Sequence, residues 1–226
     1  MEQELLIWGK HPSKKEFISS IEINGYVKKI TEFCQMGFER IVRTRKKWNA
    51  RDIWIFWLQP EREKNMICGC LKMSCDSLQR PFPLLITSNN NEARGIDNWE
   101  DYIKYFFPSW EKMKQKFKNI TLKKTGMDID FPDDFNKISK QPEIEKSKLQ
   151  KKLRESIDKQ RIKLFLTTDN FWHQTIRWHR AIRESIQIKP TSVWLNNSQS
   201  LCNIFYRELK TEDFIDMFVK KDNIQD

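Results

Sequence analysis

Glycine is scarce in this chain, six in 226 residues. No two glycines stand close enough to build a phosphate-cradling turn, so neither the P-loop nor the dinucleotide fingerprint occurs. Histidine is scarcer still. His11, His173 and His179 are the whole set, and the last two are six apart, which puts them on different faces of a helix. No serine sits in a nucleophile elbow. The five cysteines are an odd number and contain no C-x-x-C pair. Cys68 and Cys70 are one residue apart on an expected strand and so share a face. They read as buried free thiols in a reducing compartment, not as half of a metal site. No apolar run approaches the ~20 residues of a membrane span. Met1-Glu2-Gln3-Glu4 lacks the basic start of a secretory signal. A cytoplasmic protein with no metal and no cofactor is expected.

What the chain has in quantity is charge and aromatic surface. Forty-one Lys and Arg face 31 Asp and Glu, for a net charge of +10. That excess suits an acidic partner, whether nucleic acid, membrane or protein. Spread as it is over many segments, it suits a solvated lysine-rich surface better than a single site. Nine tryptophans and a hydrophobic fraction of 38% are enough to fill a core. The length suits one domain.

Along the chain, Leu5–Trp8 reads as a short buried strand ended by Gly9, with Phe17 and Ile18 anchoring the loop that follows. From Ile23 the apolar residues recur at three and four, predicting a long amphipathic helix that ends near Lys47 or Trp48. Its last turns carry Arg40, Arg43, Arg45, Lys46 and Lys47, which complement the helix dipole. Ile53–Leu58 has no polar alternation and predicts a strand buried on both faces. Met66–Met73 returns antiparallel to it after a charged turn over residues 61–65. Ser74-Cys75-Asp76 then favours a turn, and Pro81-Phe82-Pro83 forms a corner that the missing donors should keep out of a central ladder. Leu84–Ile86 is the next strand. Asp97-x-x-Glu100 has the form of a capping box before an aromatic stripe, Trp99 to Phe117, interrupted at Pro108. Asp128 to Asp134 reads as a solvated acidic loop, since it lacks the glycine and closing glutamate of a calcium loop. Residues 123–163 read as a charged, mobile insertion in an otherwise single domain over 1–226. Asn170–Gln187 predicts a helix, Ser192–Leu195 and Ser200–Tyr206 a hairpin, and a final short helix is capped by Thr211. The fold class expected is α+β: a mainly antiparallel sheet covered by helices on both faces.

Three blocks stand out. The first is Gly9-Lys10-His11-Pro12-Ser13-Lys14-Lys15-Glu16-Phe17. The second is Gly69-x-Leu71-x-x-Ser74-x-Asp76-x-x-x-Arg80-x-Phe82-Pro83-Leu84, and the third is Ser192-Val193-Trp194-Leu195. In this order they resemble the TagF family, accessory proteins of bacterial type VI secretion. The chain departs from the family pattern at Lys15 and Gln79, where glycine is usual, and at Leu195, where a second tryptophan is usual. The resemblance implies a non-catalytic cytoplasmic regulator, a post-translational repressor acting through the forkhead-associated scaffold protein of the system.

The residues themselves offer no catalytic set. Ser74, Asp76, Arg80 and Lys10 admit an anion or acid–base site, but a polar network that fixes the turn is the favoured reading. A charge-assisted Arg80–Asp76 contact would satisfy groups that cost roughly 1–3 kcal/mol each when left unpaired. Basic residues interleave with aromatics at Lys112–Phe117 and Arg177–Arg183, but those aromatics are at core spacing. Nucleic-acid binding through a phosphate-contacting patch is therefore the alternative, not the primary reading. The motif and partner-binding candidates are Gly9, Lys10, Pro12, Phe17, Ser74, Asp76, Arg80, Phe82, Pro83 and Trp194.

Overall fold

The computed structural model describes residues 5–20, 25–49, 52–59, 66–90, 96–120, 149, 153 and 160–219. Eight strands form one antiparallel sheet. They are β1 (Leu5–Lys10), β2 (Phe17–Ser19), β3 (Ile53–Leu58), β4 (Met66–Cys75), β5 (Pro81–Asn90), β6 (Arg161–Phe165), β7 (Ser192–Asn196) and β8 (Leu201–Phe205). Their order across the sheet is β2-β1-β5-β4-β3-β7-β8-β6. The helices are α1 (Gly25–Arg43), α2 (Tyr102–Ile120), α3 (Phe171–Ile186) and α4 (Thr211–Phe218).

The period-two geometry of a strand splits each apolar run between two cores. Ile53, Ile55 and Trp57 of β3, Cys68 and Cys70 of β4, and Val193 and Leu195 of β7 face the side covered by α2 and α3. Trp54, Phe56 and Leu58, with Leu71, Leu85 and Trp194, face α1 and α4. Every residue of β3 is buried, as a strand covered on both faces must be. This is the α+β architecture that the sequence pattern predicts.

Several local expectations are corrected. The Pro81–Pro83 corner does join a ladder: Pro81 pairs with Cys75 and Pro83 with Met73. The prolines are tolerated there because β1 pairs β5 only from Leu84 onward, so their missing N–H groups lie where no ladder bond is made. Asp97 and Glu100 do not form a capping box. Glu100 is buried and takes Arg183 at 2.8 Å, which joins α3 to the 3-10 turn before α2. Pro108 lies inside α2 without ending it. α1 stops at Arg43, short of Lys47. Thr211 is the first residue of α4 and not its cap; Asp213 accepts the Lys210 N–H at 2.8 Å.

Residues 161–163, assigned above to a mobile insertion, belong to β6. That strand is fixed to β8 by the Arg161–Phe205 to Phe165–Leu201 register. Arg161 also reaches Asp216 at 2.9 Å. Most of the expected insertion, the acidic loop over 128–134 and the charged turn over 61–65 fall outside the described residues.

Among the described residues no helix is long and apolar enough to cross a membrane. All five cysteines are free and four of them are buried. Burial pushes the Cys68 thiol up to about 12. Among the described residues no group of three or more metal-ligating side chains comes together.

Candidate functional site

The first two sequence blocks meet at one end of the sheet. β4 ends at Cys75, and Asp76 turns the chain back into β5. Its buried carboxylate accepts the Leu78 and Arg80 backbone N–H groups at 3.0 and 2.9 Å. The same carboxylate accepts Arg80 Nε at 2.7 Å and lies 3.3 Å from Lys10 Nζ. Lys10 comes from the end of β1, so one side chain holds its own turn and the first block together. Two backbone contacts complete the joint: Ser77 N–H donates to Lys14 O at 2.9 Å, and Arg80 Nη2 donates to Lys15 O at 2.8 Å. Burial alone would raise the Asp76 pKa; the bonds from Arg80, Lys10 and Leu78 outweigh it and hold the carboxyl down at about 2.

Gly9 explains the opening of the first block. Its φ is +124°, and a Cβ placed there would lie 2.1 Å from the Pro83 carbonyl oxygen. Only glycine lets β1 approach the proline corner this closely. Past Pro12 the loop is fastened by His11, whose Nδ1 accepts the Ser13 N–H at 3.1 Å. Burial, then Lys14 and Lys72, lowers the His11 pKa, which keeps that nitrogen an acceptor.

Gln79 stands where the resemblance expects glycine, and the reason glycine is favoured is visible: its φ is +61°. A non-glycine residue in this region carries a strain of roughly 1 kcal/mol. Gln79→Gly is therefore expected to raise stability, or leave it unchanged after the added chain entropy of glycine, by 0 to about 1 kcal/mol. Chemical denaturation of the two proteins checks this.

Phe17 packs edge-on against Trp8 at 5.1 Å and Phe82 at 5.5 Å, yet 44% of it stays exposed. It is a half-open lid on the corner rather than the core anchor that the sequence suggests. Leu78, at the tip of the Asp76 turn, is 55% exposed. The corner shows these two apolar side chains to solvent together with Lys14, Lys15 and the outer part of Arg80.

Two predicted residues lie apart from the Asp76 network. Ser74 has its hydroxyl nearest to Cys75 O, at 3.5 Å, because Asp76 lies beyond the strand and not on the same pleat. Trp194 is fully buried and stacks on Phe56 at 4.3 Å. It is a core residue, with no side-chain surface to offer a partner. The second and third blocks are nonetheless linked through it. Gly69, Phe56 and Trp194 are direct neighbours across β4, β3 and β7. A Cβ on Gly69 would lie 2.3 Å from the Phe56 ring, so the glycine leaves the space into which that stacked pair fits.

The sequence reading missed a continuation of the corner. Phe82 packs on Phe38 of α1 at 5.1 Å, and Phe38 on Trp48 at 6.0 Å. This aromatic row leads to a groove of about 560 Å³ beside Pro81 and the end of α1. The basic run before Trp48 was visible in sequence, but its nearness to Pro81 was not.

Comparison with known proteins agrees with the motifs. No curated protein matches the chain. A crystal structure of PA0076 from Pseudomonas aeruginosa PAO1 is similar over 52% of this chain and 55% of that one, at 15% identity and a TM-score of 0.40. The chain thus spans just over half the length of that neighbour. Residues 7–125 match the TagF N-terminal domain, described as type VI secretion system-associated, a span that holds both blocks of the Asp76 corner. With more than half of its residues in that match, this chain belongs to the TagF family of type VI secretion system-associated proteins.

Proposed function

We propose that this protein is a non-catalytic, cytoplasmic regulator of a type VI secretion apparatus that works by docking a protein component of the system. On this reading it represses secretion post-translationally, through the forkhead-associated scaffold protein. One observation supports docking over turnover: the motif charges are spent on each other. Asp76 is enclosed by Arg80, Lys10 and two backbone N–H groups, and the apolar Phe17 and Leu78 are exposed beside it. A carboxylate held this low and this enclosed is a poor general base, whereas a rigid corner with half-exposed apolar tips suits an interface.

The test is genetic and biochemical. In a bacterium carrying the apparatus, loss of this protein is expected to raise secretion of the apparatus's own substrates, and the intact chain to return it to the starting level. Purified forkhead-associated scaffold should be retained by the protein after nuclease treatment. Unchanged secretion in the deletion strain sinks the regulatory reading. Retention that vanishes with nuclease favours the nucleic-acid alternative, for which the net charge of +10 speaks.

A further inference from the structure

The helix α1 ends on a left-handed residue that is not glycine, as α3 does at Gln187. Thr44 N–H donates to Arg40 O, Arg45 N–H to Val42 O and Lys46 N–H to Ile41 O. The last two bonds are the pair that closes a helix through a left-handed residue, and that position normally takes glycine. Here it is Arg45, with φ of +52°. The same left-handed backbone occurs at Gln79 and at Gln187, so what sets Arg45 apart is where its side chain stands. Arg45 stands with Lys46 and Lys47 around the groove whose apolar lining includes Ile41, Trp48 and Pro81. Val42 adds an apolar edge, 49% exposed. Among the described residues none of Arg45, Lys46 and Lys47 has a carboxylate within ion-pair distance. The neighbouring Arg43, by contrast, reaches Glu39 at 3.9 Å.

The groove is therefore cationic at its rim, apolar at its floor, and tied to the Asp76 corner through Phe38 and Phe82. We propose that it docks an acidic peptide segment of the protein partner. One apolar side chain of that segment seats against Trp48 and Pro81, and its carboxylates meet Arg45, Lys46 and Lys47. The opposite charge follows from three cations that have no carboxylate partner among the described residues, and the apolar anchor from the half-buried Trp48 and Pro81 between them. A nucleic acid would also satisfy the rim and stack a base on Trp48, so the oligonucleotide arm of the test below is what separates it from the peptide. This inference rests on the protein-docking reading above and gives that reading a surface and a partner chemistry.

The probe is a fluorescein-labelled peptide of alternating glutamate and aspartate around one central leucine, titrated into the full chain and followed by anisotropy. Binding is expected in the micromolar range and should weaken about tenfold or more as salt rises from about 0.05 to about 0.5 M. Lys46→Glu combined with Lys47→Glu should abolish it. Arg45→Gly should weaken it severalfold while leaving Tm equal to or a few degrees above that of the parent, which separates loss of contact from loss of fold. Replacing the leucine of the peptide by glutamate should also weaken binding. The proposal is overturned if the peptide does not bind, if the charge-reversed protein binds it equally well, or if a single-stranded oligonucleotide binds this groove more tightly than the peptide. If the peptide binds as expected but the deletion strain secretes normally, the regulatory reading falls and the groove stands. If the strain responds and the peptide does not bind, the converse holds.

Discussion

Replacing Gly9 by alanine is expected to destabilise the protein by about 4 kcal/mol. Two independent terms add. The backbone at Gly9 sits at φ +124°, where an L side chain carries a strain of roughly 1–3 kcal/mol. The added Cβ would also lie 2.1 Å from the Pro83 carbonyl oxygen and 3.0 Å from Leu84 Cα. Both are backbone atoms, so no side-chain rotation relieves the overlap. β1 must move away from β5, which loosens the Gly9–Leu84 end of their ladder and pulls Lys10 from Asp76. At about 2–4 °C per kcal/mol for a chain of this size, Tm should fall by roughly 10 °C or more. A thermal scan showing a change of only a degree or two would mean that the close approach of the two blocks does not exist in solution.

Asp76→Ala should have the second largest effect. It strands the Leu78 and Arg80 N–H groups and leaves Lys10 and Arg80 facing each other without a counter-charge. A fall in Tm of about 5–10 °C is expected, together with loss of retention of the protein partner. Asp76→Asn distinguishes charge from hydrogen bonding, because the amide oxygen still accepts the two backbone bonds. The carboxyl also sets an acid limit. Its folded pKa is about 2 against an ordinary 3.8, so its contribution is fully present above 3.8 and is lost as the pH falls toward 2. Stability of the parent protein should therefore drop across that window more steeply than that of Asp76→Asn. Parallel pH profiles for the two would remove Asp76 from its assigned place.

Much of the architecture was legible because it is written in local periodicity. The unbroken apolar run Ile53–Leu58 announced a strand covered on both faces, and the three- and four-residue spacing from Ile30 to Ile41 announced the helix on one of them. The errors came where a local signal had a long-range competitor. Glu100 has the spacing of a helix cap but is claimed by Arg183 from a distant helix. Residues 161–163 look like charged linker, yet β8 offers an open edge and they pair with it. Trp194 is a motif residue whose partner lies far away in sequence: the gap left by Gly69 lets Phe56 and Trp194 stack in the core.

The sequence by itself determined the α+β class, the two-sided burial of the central strands and the order of the motif blocks. Each depends on φ restrictions or on side-chain periods that neighbouring residues set. Only the tertiary structure decided that Lys10 and Arg80 share one carboxylate, that Gly9 exists for the sake of Pro83, and that Arg45 and Trp48 frame a groove beside Pro81. Those are contacts between residues far apart in the chain. Their partners are chosen by strand order and register, which a local pattern does not carry.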